Sequence, residues 1–198
     1  ELAGSAFGVI HDKTRLVSDE KLQAGDAILL VEASGVHANG ISLIREIAKS
    51  LPDGYDTELP SGSKFGEKAL IPTHIYAKFV GELFESGLDV HYLSNITGHG
   101  WRKIMRGRPE LTYRMTEVPP VDELFEFIAK QTDADDTEMY GNYNMGAGYA
   151  VYLPKEDAVK AQKIATEHGL KSWIAGEVEK GPKQVIIEPL DVTYSTET

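Results

Sequence analysis

Asp26-Ala-Ile-Leu-Leu-Val-Glu-Ala-Ser-Gly-Val-His-Ala-Asn-Gly-Ile-Ser-Leu-Ile-Arg-Glu-Ile-Ala-Lys-Ser-Leu51 is the stretch on which the fold turns. Its first eight residues, 26–33, are an apolar run of strand length and predict a central strand. From Ile41 to Leu51 the apolar residues recur at helical spacing and predict a helix. Between them, Ser34 to Gly40 holds almost nothing but small and polar residues. A loop of this kind leaves the first N–H groups of the following helix unpaired and facing outward, where they can receive an anion. Gly35 and Gly40 allow close backbone approach, and Ser34, His37 and Asn39 add side-chain donors. The alternative is a plain strand-to-helix turn with Asn39 as N-cap and Gly40 present for geometry.

A second segment of similar design lies downstream. Val90 to about Ser94 predicts a short strand, Thr97-Gly98-His99-Gly100 a small-residue turn, and Trp101, Ile104 and Met105 the inner face of a following helix. Thr97 is a candidate cap and the glycines expose backbone N–H groups. Arg102, Lys103 and Arg106 are read as a solvated helix face with cations toward its C-terminal end.

The bulk numbers bound the function classes. The chain has 198 residues, 41% of them hydrophobic, which suits one soluble domain. No apolar run approaches the roughly 20 residues of a membrane span. The absence of cysteine excludes disulfides and thiolate chemistry and fits a reducing, cytoplasmic setting. Twenty basic against 31 acidic residues give a net charge of −11, which makes nucleic acid and anionic membranes poor partners. The six histidines (His11, His37, His74, His91, His99, His168) show no metal-binding spacing, so no metal site is expected.

Further along, Leu2–Ile10 reads as a strand of small residues and Pro52–Lys68 as a polar surface loop. Pro72-Thr73 predicts the start of a helix with Ile75, Tyr76, Phe79, Val80, Leu83 and Phe84 on one stripe, ended by Gly87. Leu111–Met115 predicts a strand, and Val121, Leu124, Phe125 and Ile128 mark a helix started by Pro119-Pro120. Tyr149–Leu153 predicts a strand, Lys155–His168 a helix, and Trp173–Val178 and Gln184–Ile187 two more strands. Asp191–Thr198 reads as a disordered tail. Interleaved strands and helices with connections of mixed length favour an α+β domain, or a layered α/β/α one, around one mixed sheet.

Five segments, in order, resemble the C-terminal domain of the AIR synthase (phosphoribosylformylglycinamidine cyclo-ligase) family. They are Gly25–Leu30 with Ala33–Arg45, Leu70–Tyr76, Ile96–Gly100, Met139–Gly148 and Ser172–Val178. The resemblance spans Leu2 to about Glu188 and implies one domain over 1–190, a three-layer α/β/α unit with a mixed sheet, partly ferredoxin-like. It further implies an ATP-dependent ligase of purine biosynthesis, a small phosphoribosyl substrate and a homodimer. ATP and Mg would be bound mainly by a preceding N-terminal domain that this chain does not contain, and the chain alone would require neither. Carried onto this sequence, the family's loop falls on Ser34, Gly35, His37, Asn39 and Gly40, candidates for contacts to a phosphate or to the reacting amidine. His37 is the catalytic candidate, as a donor to an anionic oxygen. Thr97, Gly98 and Gly100 match a Thr-Gly-Gly-Gly turn, and Asn144, Gly146 and Gly148 match a further backbone approach point.

Departures from the family pattern suggest a divergent branch. His99 stands where glycine is usual, putting an imidazole at the expected anion site, and Gly141 stands where Arg often follows Met-Tyr. Two other readings compete: a free-standing module that binds a phosphorylated metabolite or serves assembly, and an acid/base site pairing His37 with Glu32 or Glu46.

Overall fold

β1 (Asp26–Glu32) carries apolar side chains on both faces, and both faces are covered. Ile28 and Leu30 lie in one hydrophobic cluster and Ala27, Leu29 and Val31 in another, all five no more than 2% exposed. A strand buried on alternate sides sits inside a sheet with layers above and below it. Each of its four larger side chains contributes about 1.5–3 kcal/mol relative to exposure.

The computed structural model describes residues 4–5, 7–10 and 12–196. After β1 come α1 (Ile41–Ser50), α2 (Phe65–Ala69), α3 (Ala77–Glu85), β2 (Tyr92–Asn95), β3 (Leu111–Met115), α4 (Glu123–Thr132), α5 (Asp136–Asn142), β4 (Ala147–Pro154), α6 (Lys155–Glu167), β5 (Ser172–Lys180), β6 (Gln184–Ile187) and β7 (Val192–Ser195). The sheet order is β2-β4-β1-β5-β3-β6-β7. Its pairings are antiparallel except β3 with β6. Helices α1, α2, α4 and α5 cover one face with Ile44, Phe65, Phe125 and Tyr140 among the buried residues. Helices α3 and α6 cover the other with Phe79, Leu83, Ala161 and Ile164. The three-layer α/β/α arrangement with a mixed sheet is therefore the one expected.

Buried polar groups fix the start of β1. The Gln23 N–H donates to Asp26 Oδ2 at 3.0 Å. His91 Nδ1 lies 2.8 Å from Asp26 Oδ1 and its Nε2 lies 3.1 Å from Asp89 Oδ2, so both ring nitrogens face carboxylates.

Several expectations are corrected. The residues described within 2–10 form no strand, and Phe7 and Val9 are 99% and 77% exposed. They have no ladder partner among the described residues, and an unpaired strand does not persist. The 52–68 stretch is not all loop, because Phe65 is fully buried and anchors α2. The helix expected from Pro72 starts only at Ala77. Residues before it are drawn onto the end of β1: Ser34 Oγ donates to the Pro72 carbonyl at 2.7 Å and Tyr76 Oη to the Glu32 carbonyl at 2.7 Å. Ile75 is consequently 87% exposed rather than on the buried stripe. The segment after Thr97-Gly98-His99 is a six-residue 3₁₀ turn, Gly100–Met105, rather than an α-helix. Finally, the disordered tail proposed for 191–198 gives way to β7. Val192 and Tyr194 enter the core, and Tyr194 Oη donates to the Thr137 carbonyl at 2.7 Å. Residues 197 and 198 lie outside the described residues.

Candidate functional site

β1 and β2 both run antiparallel to β4 and flank it, so their C-terminal ends meet at its beginning. This topology gathers the three glycine-bearing segments of the sequence. The Ala33 N–H donates to the Gly146 carbonyl at 2.8 Å and the Ile96 N–H to the Gly148 carbonyl at 3.0 Å. Asn144 joins them. It is fully buried, donates from Nδ2 to the Gly35 carbonyl at 2.9 Å and accepts from the Gly146 N–H at 3.0 Å. Its own carbonyl receives Trp101 Nε1–H at 2.9 Å.

Asn144 and Gly146 are thus parts of a clasp under the loop, not exposed binding groups. Ser34 and Gly35 are similarly engaged, the first through its hydroxyl on Pro72 and the second through its carbonyl on Asn144. Thr97 accepts the Gly100 N–H through its carbonyl at 2.9 Å, closing the turn. Gly100 is no opening for a ligand. It sits at φ 49°, where a Cβ would overlap the Tyr140 carbonyl oxygen and lie 2.7 Å from that of Tyr143. Backbone acceptors fill this space, and acceptors repel an anion. With no helix behind it, the 97–100 turn is not the second anion-ready helix start that the sequence suggested. His99 is exposed at φ 77°, and its Nδ1 donates to the Gly98 carbonyl at 2.9 Å.

The 34–40 loop is different. His37 is 8% exposed and adopts φ 57°. The Ser34 N–H donates to its Nε2 at 3.2 Å, which places the imidazole proton on Nδ1. Burial, with a smaller contribution from the nearby charge of His74, pulls its pKa down to about 4. At neutral pH His37 is therefore an uncharged donor. The acid/base pairing with Glu32 or Glu46 finds no support: Glu32 accepts the Lys171 N–H at 2.9 Å and Glu46 pairs with Lys49 at 2.7 Å.

Gly40, not Asn39, is the N-cap of α1, at φ 68° and without a side-chain cap bond. Its missing Cβ makes room for Tyr143, whose Oη would lie 2.6 Å from that atom. Asn39 reaches across to the second segment, its Oδ1 3.2 Å from where a Cβ on Gly98 would stand. Asn39 Nδ2 and Tyr143 Oη are both buried without a hydrogen-bond partner. Burial raises the pKa of Tyr143, so its hydroxyl keeps its proton. Two side chains were missed in the sequence reading. Tyr143 lies inside a quoted motif whose asparagine and glycines drew the attention. His74 lies in the 70–76 segment that folds back over the loop.

A cavity of about 100 Å³ opens beside the loop, lined by Ser34, Gly35, Asp122, Gly146, Lys171 and Trp173. It is smaller than the hundreds of cubic ångströms typical of a small-molecule pocket. An apolar hollow of about 370 Å³ between α1 and α2 touches none of the residues selected from sequence. Among the described residues no three His, Asp or Glu side chains are grouped to hold a metal ion, and no helix is long and apolar enough to cross a membrane.

With this geometry in place, similarity to known proteins becomes informative. The sequence profile of the family described as "AIR synthase related protein, C-terminal domain" matches residues 23–188. Phosphoribosylformylglycinamidine cyclo-ligase of Methanococcus maripaludis is 34% identical over 180 residues, covering 90% of this chain and 51% of the relative. The enzyme of the same name from Methanothermobacter thermautotrophicus is 34% identical over 190 residues, covering 95% and 55%. The chain thus spans about half the length of the curated relatives it matches. Among solved structures, hydrogenase maturation protein HypE in complex with ATP superposes with a TM-score of 0.59 at 20% identity, over 90% of this chain and 52% of that one. PurL of T. maritima complexed with FGAR gives a TM-score of 0.57 at 17% identity, over 93% and 29%. These structural likenesses establish the fold.

Proposed function

This chain belongs to the AIR synthase related family, in its C-terminal domain, and from that membership we propose that it is the substrate-holding part of an ATP-dependent phosphoribosylformylglycinamidine cyclo-ligase. The observation that carries the reading is the 34–40 loop, which leads into the ten-residue helix α1 with Gly40 as its N-cap and no side-chain cap bond, so that the first N–H groups of the helix are left for an outside acceptor. Such a cradle suits the anionic oxygens of a phosphoribosyl compound. It must act locally, because the net charge of −11 repels anions.

In the proposed reaction, ATP supplies the phosphoryl group that activates the formamide oxygen for ring closure. The residues of this chain position and stabilise. His37 donates from Nδ1 to an anionic oxygen, and its neutral state leaves Nε2 free to hold Ser34. Asn39 and Gly40 border the anion, Thr97, Gly98 and His99 form the rim, and Ser34, Gly35, Asn144 and Gly146 keep the loop in shape. Preorganised donors of this kind lower a barrier because they need no rearrangement as charge develops. A set of donors does not suit magnesium, which takes oxygen ligands. The metal and most of ATP therefore belong to the other half of a complete, homodimeric, cytoplasmic enzyme.

Calorimetric titration with formylglycinamidine ribonucleotide, with ribose 5-phosphate as control, tests the reading. Binding that prefers the nucleotide is the expected outcome, without ATP-dependent cyclisation by this chain alone. Failure to bind the nucleotide, in this chain and in any longer parent polypeptide, would overturn it.

A further inference from the structure

β1 and β4 pair residue for residue from Asp26 with Pro154 to Val31 with Tyr149, but Glu32 then pairs with Ala147. Gly148 is the extra residue, a β-bulge where β1 gives way to the 34–40 loop. Two side chains occupy the space that a Cβ on Gly148 would need. Tyr76 Oη would overlap that atom, and His37 Cε1 would lie 2.6 Å from it. Tyr76 is 7% exposed, and its hydroxyl donates to the Glu32 carbonyl beside the bulge at 2.7 Å. Its ring centre lies 6.4 Å from that of His37 and 5.0 Å from that of Tyr149. Among the described residues the His37 ring makes one hydrogen bond, at Nε2, from the Ser34 N–H. Of the titratable groups around this pair, Tyr76 and Tyr149 keep their protons because burial raises both pKa values. The Glu32 carboxylate is held by the Lys171 N–H, and His74 is the one charge that acts on His37.

We propose that the bulge at Gly148 is the seat of the His37 imidazole, and that Gly148 and Tyr76 are positioning residues for it. This rests on the reading of His37 as a donor to an anionic oxygen and goes beyond it, because it says what holds that donor in one tautomer. His37 stands on a loop, at φ 57°, with no strand or helix of its own to aim it. Three contacts aim it instead. The Ser34 N–H claims Nε2, the bulge receives Cε1, and the Tyr76 ring, pinned to Glu32 by its hydroxyl, stands alongside. The ring proton is thereby kept on Nδ1, the nitrogen left for a ligand. Bulges commonly redirect a side chain next to a site. Here the bulged residue has no side chain, and the room it leaves goes to one from another segment. The close approach that Gly148 permits is that of His37 and Tyr76, not that of a ligand.

The test compares wild type with Gly148→Ala and Tyr76→Phe. Gly148 is not at positive φ, and the atoms a new methyl group meets are the ends of side chains, so Gly148→Ala is expected to fold with the imidazole displaced. Long-range 1H–15N spectra of the His37 ring report its tautomer and its titration without any ligand. In wild type the proton is on Nδ1 and the ring titrates at about pH 4. In Gly148→Ala the tautomers mix and the midpoint rises by about one pH unit toward the ordinary value, as the ring gains water. Tyr76→Phe keeps the ring and loses its pin, and shifts the midpoint the same way by less. Should Gly148→Ala not fold, Tyr76→Phe carries the test alone. A merely structural pair would lower the melting temperature and leave the His37 spectra as they are, and that result overturns the proposal. So does a wild-type ring with mixed tautomers. Calorimetry with formylglycinamidine ribonucleotide separates this from the reading it rests on. The expected loss in Gly148→Ala is about tenfold, that of one hydrogen bond to a charged group. Altered His37 spectra with unchanged affinity would leave the seat standing and remove His37 from the ligand.

Discussion

The 34–40 loop and the 97–100 turn are near relatives in sequence, each a cluster of glycine, histidine and a small polar residue following a strand. They end as opposites. The first leads into a ten-residue helix and has buried donors behind it that lack acceptors. The second leads into a six-residue 3₁₀ turn, and the space at its last glycine is filled by carbonyl oxygens from the end of α5. Composition states that the backbone can be approached closely. It does not state by what, and only the packing partner decides whether a glycine serves a ligand or a neighbouring helix.

The contrast can be broken most forcefully at Gly100. A Cβ there would strike the Tyr140 carbonyl at a backbone angle that L-residues rarely adopt, and backbone cannot yield as a side chain can. Gly100→Ala should therefore cost about 3 kcal/mol or more of stability, read as a shift of the urea midpoint, with unfolding still cooperative. If the variant is as stable as wild type but fails to bind ribose 5-phosphate, the two glycine turns have been assigned the wrong way round.

A smaller effect separates the loops by pH. The folded pKa of His37, about 4, lies below the ordinary histidine value of 6.5. Between these values the unfolded chain binds a proton that the folded chain refuses, so stability rises with pH across that window. The contribution is fully present above about pH 6.5 and is lost as the pH falls toward 4. Since solvent at the loop's edge screens part of the shift, about 2 kcal/mol is expected. Acidification from pH 7 to 4.5 should cost wild type more than His37→Gln, measured by urea unfolding at each pH. Parallel losses in the two proteins would show that His37 is not held neutral.

How much of this was legible beforehand depends on how local the signal was. β1, the loop and α1 could be read because their apolar pattern is continuous and tolerates one arrangement only. β3 was read with its bounds, Leu111–Met115, for the same reason. α5 went unread, although Asp135 caps it by accepting the Glu138 N–H at 2.8 Å, a spacing visible in the sequence. β7 is only the four residues Val192–Ser195, too short for its alternation to stand out beside the chain end, and its place depends on pairing with β6 and on Tyr194 reaching Thr137. At the site, the converging segments were legible as motifs, whereas the spent hydrogen bonds of Asn144 and the unspent one of Tyr143 depend on tertiary contacts. Arg102 was read as solvated, yet its guanidinium lies 4.4 Å from the centre of the Tyr194 ring and donates to the Gly141 carbonyl at 2.9 Å. A Cβ on Gly141 would crowd that guanidinium. Arg102 of the 3₁₀ turn thus fills the space beside Gly141, a contact that no single position reveals.

The smallest expected effect is at His99, which shares a left-handed backbone with His37 but is exposed where His37 is buried. A histidine at φ 77° sits in the left-handed region that glycine occupies without penalty. Its side chain is exposed, and its one polar bond, to the preceding carbonyl, is of a kind that water replaces readily. Relief of backbone strain and greater freedom of the unfolded chain act in opposite directions in His99→Gly, which leaves a net gain of about 0.5 kcal/mol. Because the imidazole stands at the rim and not behind the cap of α1, affinity for ribose 5-phosphate should change less than twofold, on the order of 0.4 kcal/mol. A tenfold loss or more, about 1.4 kcal/mol, would move the anion from the α1 N-terminus to the 97–100 turn, and the contrast between the two loops would be reversed.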